Sequence, residues 1–167
     1  MERILSDQAD APPANRLDPR ARILWRVEAA LGAIPVLAFA GIVWLVLERS
    51  GRGPWWAGPA IAAAALLWQA WEVAVHPDLR WRVWRWDVGE AEVDLLSGWW
   101  TRTRTVVPMA RIQHVDTRRG PLERRFGLAT VVLWTAAGAN AIPALPEADA
   151  AALRERIASL ANVREDL

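Results

Sequence analysis

The chain has 167 residues, close to one average domain, and carries 20 basic residues, all arginine, against 19 acidic ones. A net charge of +1 excludes a strongly basic nucleic-acid binder and an acidic solvating tail. With no cysteine and only two histidines, His76 and His114, it also excludes disulfides, thiol catalysis, cysteine-zinc sites and multi-histidine metal sites.

Residues 1–15 are polar, with Ala, Pro and Asp, and predict a disordered tail. Residues 16–27 predict an interfacial or helix-extending segment, so that 1–28 form a tail and juxtamembrane stretch. From Ala29 to Leu47, between Glu28 and Glu48, no residue is charged. As a helix this window is roughly 28 Å long, close to the ~30 Å hydrocarbon core of a bilayer. A second uncharged window runs from Gly53 to Trp71, between Arg52 and Glu72. It is weaker, rich in Ala and Gly, with Gln69 near its end. Pro54 and Pro59 stand where a helix start tolerates proline. The link from Glu48 to Gly53 is short, so helices over 29–47 and 54–71 must be antiparallel neighbours, a two-helix transmembrane hairpin over 29–71. A buried pair in a soluble bundle fits less well, because soluble helices rarely lack charge on every face for five turns. A cleaved signal peptide fits less well too, because a long polar stretch precedes the first window and a second follows at once.

Arginine counting sets the expected orientation. Arg16, Arg20, Arg22 and Arg26 flank the first helix, Arg80, Arg82 and Arg85 follow the second, and the loop holds Arg49 and Arg52. The excess outside the loop predicts a multi-pass inner-membrane protein with both termini cytoplasmic. Trp55 and Trp56 at the outer end, with Trp25 and Trp71 at the inner end, suit the two interfaces. Arg22, Arg26, Arg80, Arg82 and Arg85 are accordingly candidates for contact with anionic lipid headgroups.

His76-Pro77-Asp78 punctuates the exit from the second helix, and a cytoplasmic domain is expected over 78–163. Trp81 to Asp87 reads as a strand. Glu90 to Leu95 alternates with period two, Ser97-Gly98 is a turn, and Trp99 to Val107 alternates again, so the pair reads as a hairpin that Pro108 ends. Arg111 to Asp116 is a short strand, and Arg119 to Phe126 a loop with one helical turn. Leu128 to Thr135 is a strong strand, Ala137 to Asn140 a turn, and Ala141 to Leu145 a short strand. A helix begins near Pro146, with Glu147 and Asp149 in its first turn and Ala150, Leu153, Ile157 and Leu160 on one face. Antiparallel strands closed by one amphipathic helix make an α+β fold in which the helix covers the sheet.

Four ordered pieces resemble the bacterial pleckstrin-homology-like family once called the membrane-flanked domain, as in the YdbS-like membrane proteins. They are Val93-Asp-Leu-Leu-Ser-Gly98, Val107-Pro-Met-Ala-Arg-Ile-Gln-His-Val115, Arg124-Arg-Phe-Gly-Leu-Ala-Thr-Val131 and Leu145-Pro-Glu-Ala-Asp-Ala-Ala-Ala-Leu153. Ala129 stands where the family often has glycine. The resemblance implies a seven-stranded barrel closed by a C-terminal helix, and no enzymatic activity. It also implies a neighbouring longer protein with repeated copies of the domain. Ile112, Val115, Phe126, Leu128, Val131 and Leu133 are expected inside, with Gly127 easing the turn into the next strand.

The polar members of these pieces are the candidates for binding a partner: Arg111, Gln113 and His114, with Arg118 and Arg119 beyond them. No phosphate loop, dinucleotide fingerprint, zincin helix or calcium loop is present, and no serine near His114 sits in a nucleophile elbow. The expectation is a non-enzymatic, membrane-tethered interaction or scaffold module without cofactor or nucleic acid. Its partners would be the lipid bilayer and either another integral membrane protein or a second copy. The alternative is a sensor of anionic headgroups at the inner leaflet.

Overall fold

A computed structural model of the chain describes residues 12–51 and 53–165. They form two compact units, one of residues 22–79 and one that joins the residues up to 21 with those from 80 onward.

Helix α1 runs from Arg20 to Ser50. It starts earlier than the uncharged window because Asp18 supplies a start. Its carboxylate accepts the Arg20 N–H at 2.7 Å, its carbonyl accepts the Ala21 N–H at 3.0 Å, and Pro19 follows it. Helix α2 covers Ala57–Ala74 and helix α3 His76–Val83. Pro77 does not break this path, because Leu79 N–H still reaches the Val75 carbonyl at 3.2 Å. The expected strand at Trp81 to Asp87 is therefore corrected: Trp81 to Val83 are helical. The Trp81 indole N–H donates to the carbonyls of Leu17 and Asp18 at 3.0 and 3.1 Å, which holds this turn in place.

Within the two uncharged windows the buried positions are Ala33, Ala40, Gly58 and Gln69. A Cβ on Gly58 would lie 2.2 Å from the Trp44 ring, so glycine permits that close approach. Only 11% of the first apolar window and 6% of the second is buried, leaving Leu31, Ile34, Phe39, Ile42, Leu66, Leu67 and Trp68 exposed. Core helices of a soluble bundle would show the reverse.

The other unit contains, among the described residues, seven strands in two antiparallel sheets. Sheet 1 has the order β1 (Asn15–Arg16), β2 (Arg85–Val88), β3 (Glu92–Ser97), β4 (Thr103–Pro108). Sheet 2 has the order β5 (Ile112–Arg118), β6 (Leu128–Thr135), β7 (Gly138–Pro146). The expected tail ends before Asn15, because Asn15 pairs with Trp86 and Arg16 with Arg85. This strand was missed because two residues show no periodicity. The remainder of that tail, residues 1–11, lies outside the described residues.

The expected closed barrel is corrected as well. No ladder joins the two sheets among the described residues. Pro108 has no N–H to continue a ladder, and the 3-10 turn Met109–Arg111 carries the chain away from β4. Strand β4 begins at Thr103 and not at Trp99, because Trp99 to Arg102 form a turn. The turn between β6 and β7 is Ala136-Ala137, so β7 starts earlier than its apolar residues suggest. Helix α4 (Pro121–Phe126) is the expected helical turn, closed by Gly127 in the left-handed region. The Glu123 carboxylate fixes it, accepting from Gly120 N–H at 2.7 Å and from the Thr130 hydroxyl at 2.6 Å.

Helix α5 (Glu147–Glu165) packs on β5, the 3-10 turn and β6, burying Ala150, Leu153 and Ile157. Met109, Leu128, Val131, Leu133, Ile142 and Ile157 form the fully buried centre. Of the residues expected inside, Ile112, Leu128, Val131 and Leu133 are buried, whereas Val115, Phe126 and the helix residue Leu160 are half-buried.

Leu17 is 2% exposed and belongs to this unit, although it precedes both apolar helices. Leu17→Ala is expected to cost about 2–5 kcal/mol. The measurable sign is faster amide hydrogen exchange at Leu128 to Thr135. Gly58→Ala must displace Trp44 and is expected to cost about 1–3 kcal/mol in the helical unit. Its check is the thermal midpoint in detergent.

Candidate functional site

Strand β5 is an edge of sheet 2, and its exposed face carries the polar candidates. The register shifts between Ile112 and His114, which leaves Gln113 as the extra, exposed residue of a bulge. Beyond it His114, Asp116 and Arg118 point to one face at period two, all exposed. Opposite His114 in the register stands Trp134, whose ring stacks on the imidazole at 5.5 Å and 20°. The Trp134 indole N–H donates to Asp116 Oδ2 at 2.9 Å. The same oxygen is 3.7 Å from His114 Nε2. The Arg118 guanidinium lies 5.3 Å from the centre of the Trp134 ring. One tryptophan thus touches His114, Asp116 and Arg118, a set that holds one carboxylate beside one guanidinium.

Arg111 ends the 3-10 turn and lines a cleft of about 250 Å³. One wall is the outer edge of β4, Thr105 to Pro108; the other is Thr135 with Ala137 to Asn140. Arg111 is the one charged residue of that lining. Nothing pairs with β4 on the side away from β3 among the described residues, and Val106 on that strand is exposed. Arg119 is engaged elsewhere, as its guanidinium pairs with Glu147 at the first turn of α5.

The juxtamembrane arginines fall into different surroundings. Arg26 Nη2 meets Asp78 Oδ2 at 2.8 Å, while Arg26 Nε and Asp78 Oδ1 are buried without partners. Arg22 is half-buried, and Arg80 and Arg82 are exposed. Arg85 Nη1 donates to the carbonyls of Arg82 and Trp84, each at 2.9 Å. Burial, and then the neighbouring charge of Arg16, push its pKa below the ordinary arginine value. The ten candidates are therefore not one site. His114 and Arg118 share the Trp134 cluster with Gln113 beside it, Arg111 lines the cleft, and Arg26, Arg85 and Arg119 hold parts of the fold.

A second cavity, about 360 Å³, lies at the turn of the helical hairpin against Trp44, Glu48 and Trp55. Among the described residues no group of three or more histidine, aspartate or glutamate side chains is placed to hold a metal ion. Sequence reasoning missed Trp134 and Val106, which were read as ordinary strand residues, and saw Asp116 only as an acid near His114 in the chain. The available signal was cross-strand chemistry: an aromatic at the end of a strong strand can face the polar side of its neighbour.

Where the chain enters α1, Asp18 binds the Arg20 guanidinium at 3.0 and 3.1 Å. That hydrogen-bonded pair holds the Asp18 carboxyl below its ordinary value of 3.8. The unfolded chain then takes up its proton first as pH falls. The stabilisation is present above the ordinary value and is lost through the lower, folded one. Asp18→Asn is expected to flatten that part of the acid dependence, measured as denaturation midpoint against pH from about 5 to 2.

Two exposed apolar helices and a two-sheet unit covered by a C-terminal helix define the class: a membrane protein with a small pleckstrin-homology-like domain. The chain belongs to the bacterial PH domain family, whose match spans residues 29–161 and so takes in the apolar helices. It is 39% identical over 155 residues to the UPF0699 transmembrane protein YdbS of Bacillus subtilis (strain 168), covering 92% of this chain and 96% of that one. No solved structure is a significant match.

Proposed function

We propose that the protein is a non-enzymatic interaction module tethered to the bacterial inner membrane, with both termini in the cytoplasm. Strand β1 precedes the helices and β2 follows them, yet the two pair in one sheet. A chain that crosses the bilayer between such strands must cross it an even number of times. The arginines flanking the pair outnumber those in the loop, which favours the cytoplasmic side for the sheets. Tethering keeps the module at high local concentration for other proteins of the same membrane.

The observation that carries the interaction reading is the unpaired edge of β4 over the Arg111 cleft. An extended segment laid on that edge gains backbone hydrogen bonds, and Arg111 can receive a carboxylate from it. The partner is another integral membrane protein, such as a longer one with repeated domains of this type, or a second copy. Neither a cofactor nor a nucleic acid is required.

Headgroup sensing by Arg22, Arg26, Arg80, Arg82 and Arg85 is the second reading. Each exposed arginine near an anionic leaflet contributes about 1 kcal/mol. The engagement of Arg26 by Asp78 and of Arg85 by backbone carbonyls lessens what these two can offer.

The test is purification of the full-length protein from native membranes in mild detergent, beside its Arg111→Glu variant. A stoichiometric protein partner is expected with the former, its recovery falling about tenfold with the latter, equivalent to roughly 1.4 kcal/mol. A lone monomer, or a partner indifferent to Arg111→Glu, refutes the cleft as the docking edge.

A further inference from the structure

We propose that the turn between β3 and β4 is a membrane-contact site, in which Trp99 and Trp100 insert into the headgroup zone of the bilayer and Arg102 meets anionic headgroups. This goes beyond the interaction reading, because it concerns lipid and a different edge of the domain.

In the unit that carries the sheets, the large apolar side chains exposed to solvent are Trp99, Trp100 and Val106 among the described residues. Trp100 is 84% exposed and Trp99 39%, with their rings edge to face at 5.6 Å. Tryptophan carries a large apolar body and one N–H, the combination that favours a bilayer interface over either water or hydrocarbon. The turn is built to present them. Gly98 adopts φ +91°, and a Cβ there would lie 1.9 Å from the Thr101 carbonyl oxygen, so the chain doubles back tightly at the tryptophans.

Strand register says where this tip points. Ser97 pairs with Thr103, the last pair before the turn, and Leu96 pairs with Arg85, the first residue of β2. Arg16, the last residue of β1, also pairs with Arg85. The tryptophan turn therefore projects from the end of sheet 1 at which the chain leaves for α1 and returns from α3. That end is basic. Arg16, Arg82, Arg85 and Arg102 lie there, Asp18 is bound by Arg20, and residues 97–103 contain no carboxylate. A basic, aromatic tip at the end of sheet 1 where the chain connects to the apolar helices fits a leaflet containing anionic lipid.

The chain has no cysteine, so Thr101→Cys gives one labelling position in the full-length protein and keeps both tryptophans. The labelled protein is placed in nanodiscs of phosphatidylcholine and phosphatidylglycerol that contain a nitroxide lipid quenching near the glycerol backbone. A reference carries the same fluorophore at Glu155→Cys, on the exposed face of α5. Severalfold stronger quenching at position 101 is expected, falling to the reference level when Trp99→Ala and Trp100→Ala are added, and weakening with Arg102→Glu. Equal quenching at both positions, or quenching indifferent to loss of the tryptophans, overturns the proposal. So does a label shielded from water but untouched by nitroxide lipid, which would assign the turn to a protein surface. Loss of the Arg111-dependent partner leaves this readout unaffected, so the two readings fail separately.

Discussion

Lipid offers no hydrogen bonds, and this constraint shapes the chain. A segment that crosses hydrocarbon must satisfy its own backbone, which leaves helices as the form available to uncharged windows of this length. Two such apolar helices stand in the chain between strands that pair with one another. Asn15 and Arg16 on one side of the helices pair with Trp86 and Arg85 on the other. Leu17 is buried, the Trp81 indole binds the Leu17 and Asp18 carbonyls, and the Arg20 guanidinium donates to the Phe126 carbonyl at 3.1 Å. The membrane helices are thus an insertion into a domain, not an anchor placed ahead of one.

The polar groups outside the core divide by how much they can still do. Glu123 fastens α4 through the Gly120 N–H and the Thr130 hydroxyl, and its removal would be felt as folding energy, whereas Arg119 is held by Glu147 in an exposed ion pair. The Trp134 cluster sits on an open sheet face, where ring and ion contacts are each worth about 1 kcal/mol or less. The β4 edge is different, because its unpaired side presents backbone rather than side chains. Edge strands are where proteins either defend against pairing or use it. Here the one charged residue lining the cleft beside that edge is Arg111, while Arg104 on β4 itself is bound by Asp94.

Much of the fold was legible in the sequence, for physical reasons that also explain the failures. Leu128 to Thr135 was read with its observed bounds because its run of β-branched and apolar residues is bounded by Gly127 and by the Ala136-Ala137 turn. The face of α5 was legible because Ala150, Leu153 and Ile157 repeat at helical spacing. Trp99 to Val107 misled because alternation continued through a turn that Gly98 had already opened. Asp18-Pro19 is a helix-start signal that the charge-based window concealed. Asn15-Arg16 left no local trace at all, since its strand character comes entirely from a partner far along the chain. The candidate site was legible only as polar residues in a family-like segment. Cross-strand placement, which joins His114 to Trp134 and Arg111 to the β4 edge, exists only once the sheets have formed.

The early position of β1 also sets an order of events during synthesis. Asn15 and Arg16 leave the ribosome before either apolar helix, and β2 leaves after both. Sheet 1 therefore cannot be completed until both helices have been made. Until then the partner edge of β2 and the apolar surface that covers Leu17 stand open, features on which chaperones and proteases act. Folding of this small sheet is thereby coupled to synthesis of the helices that interrupt it.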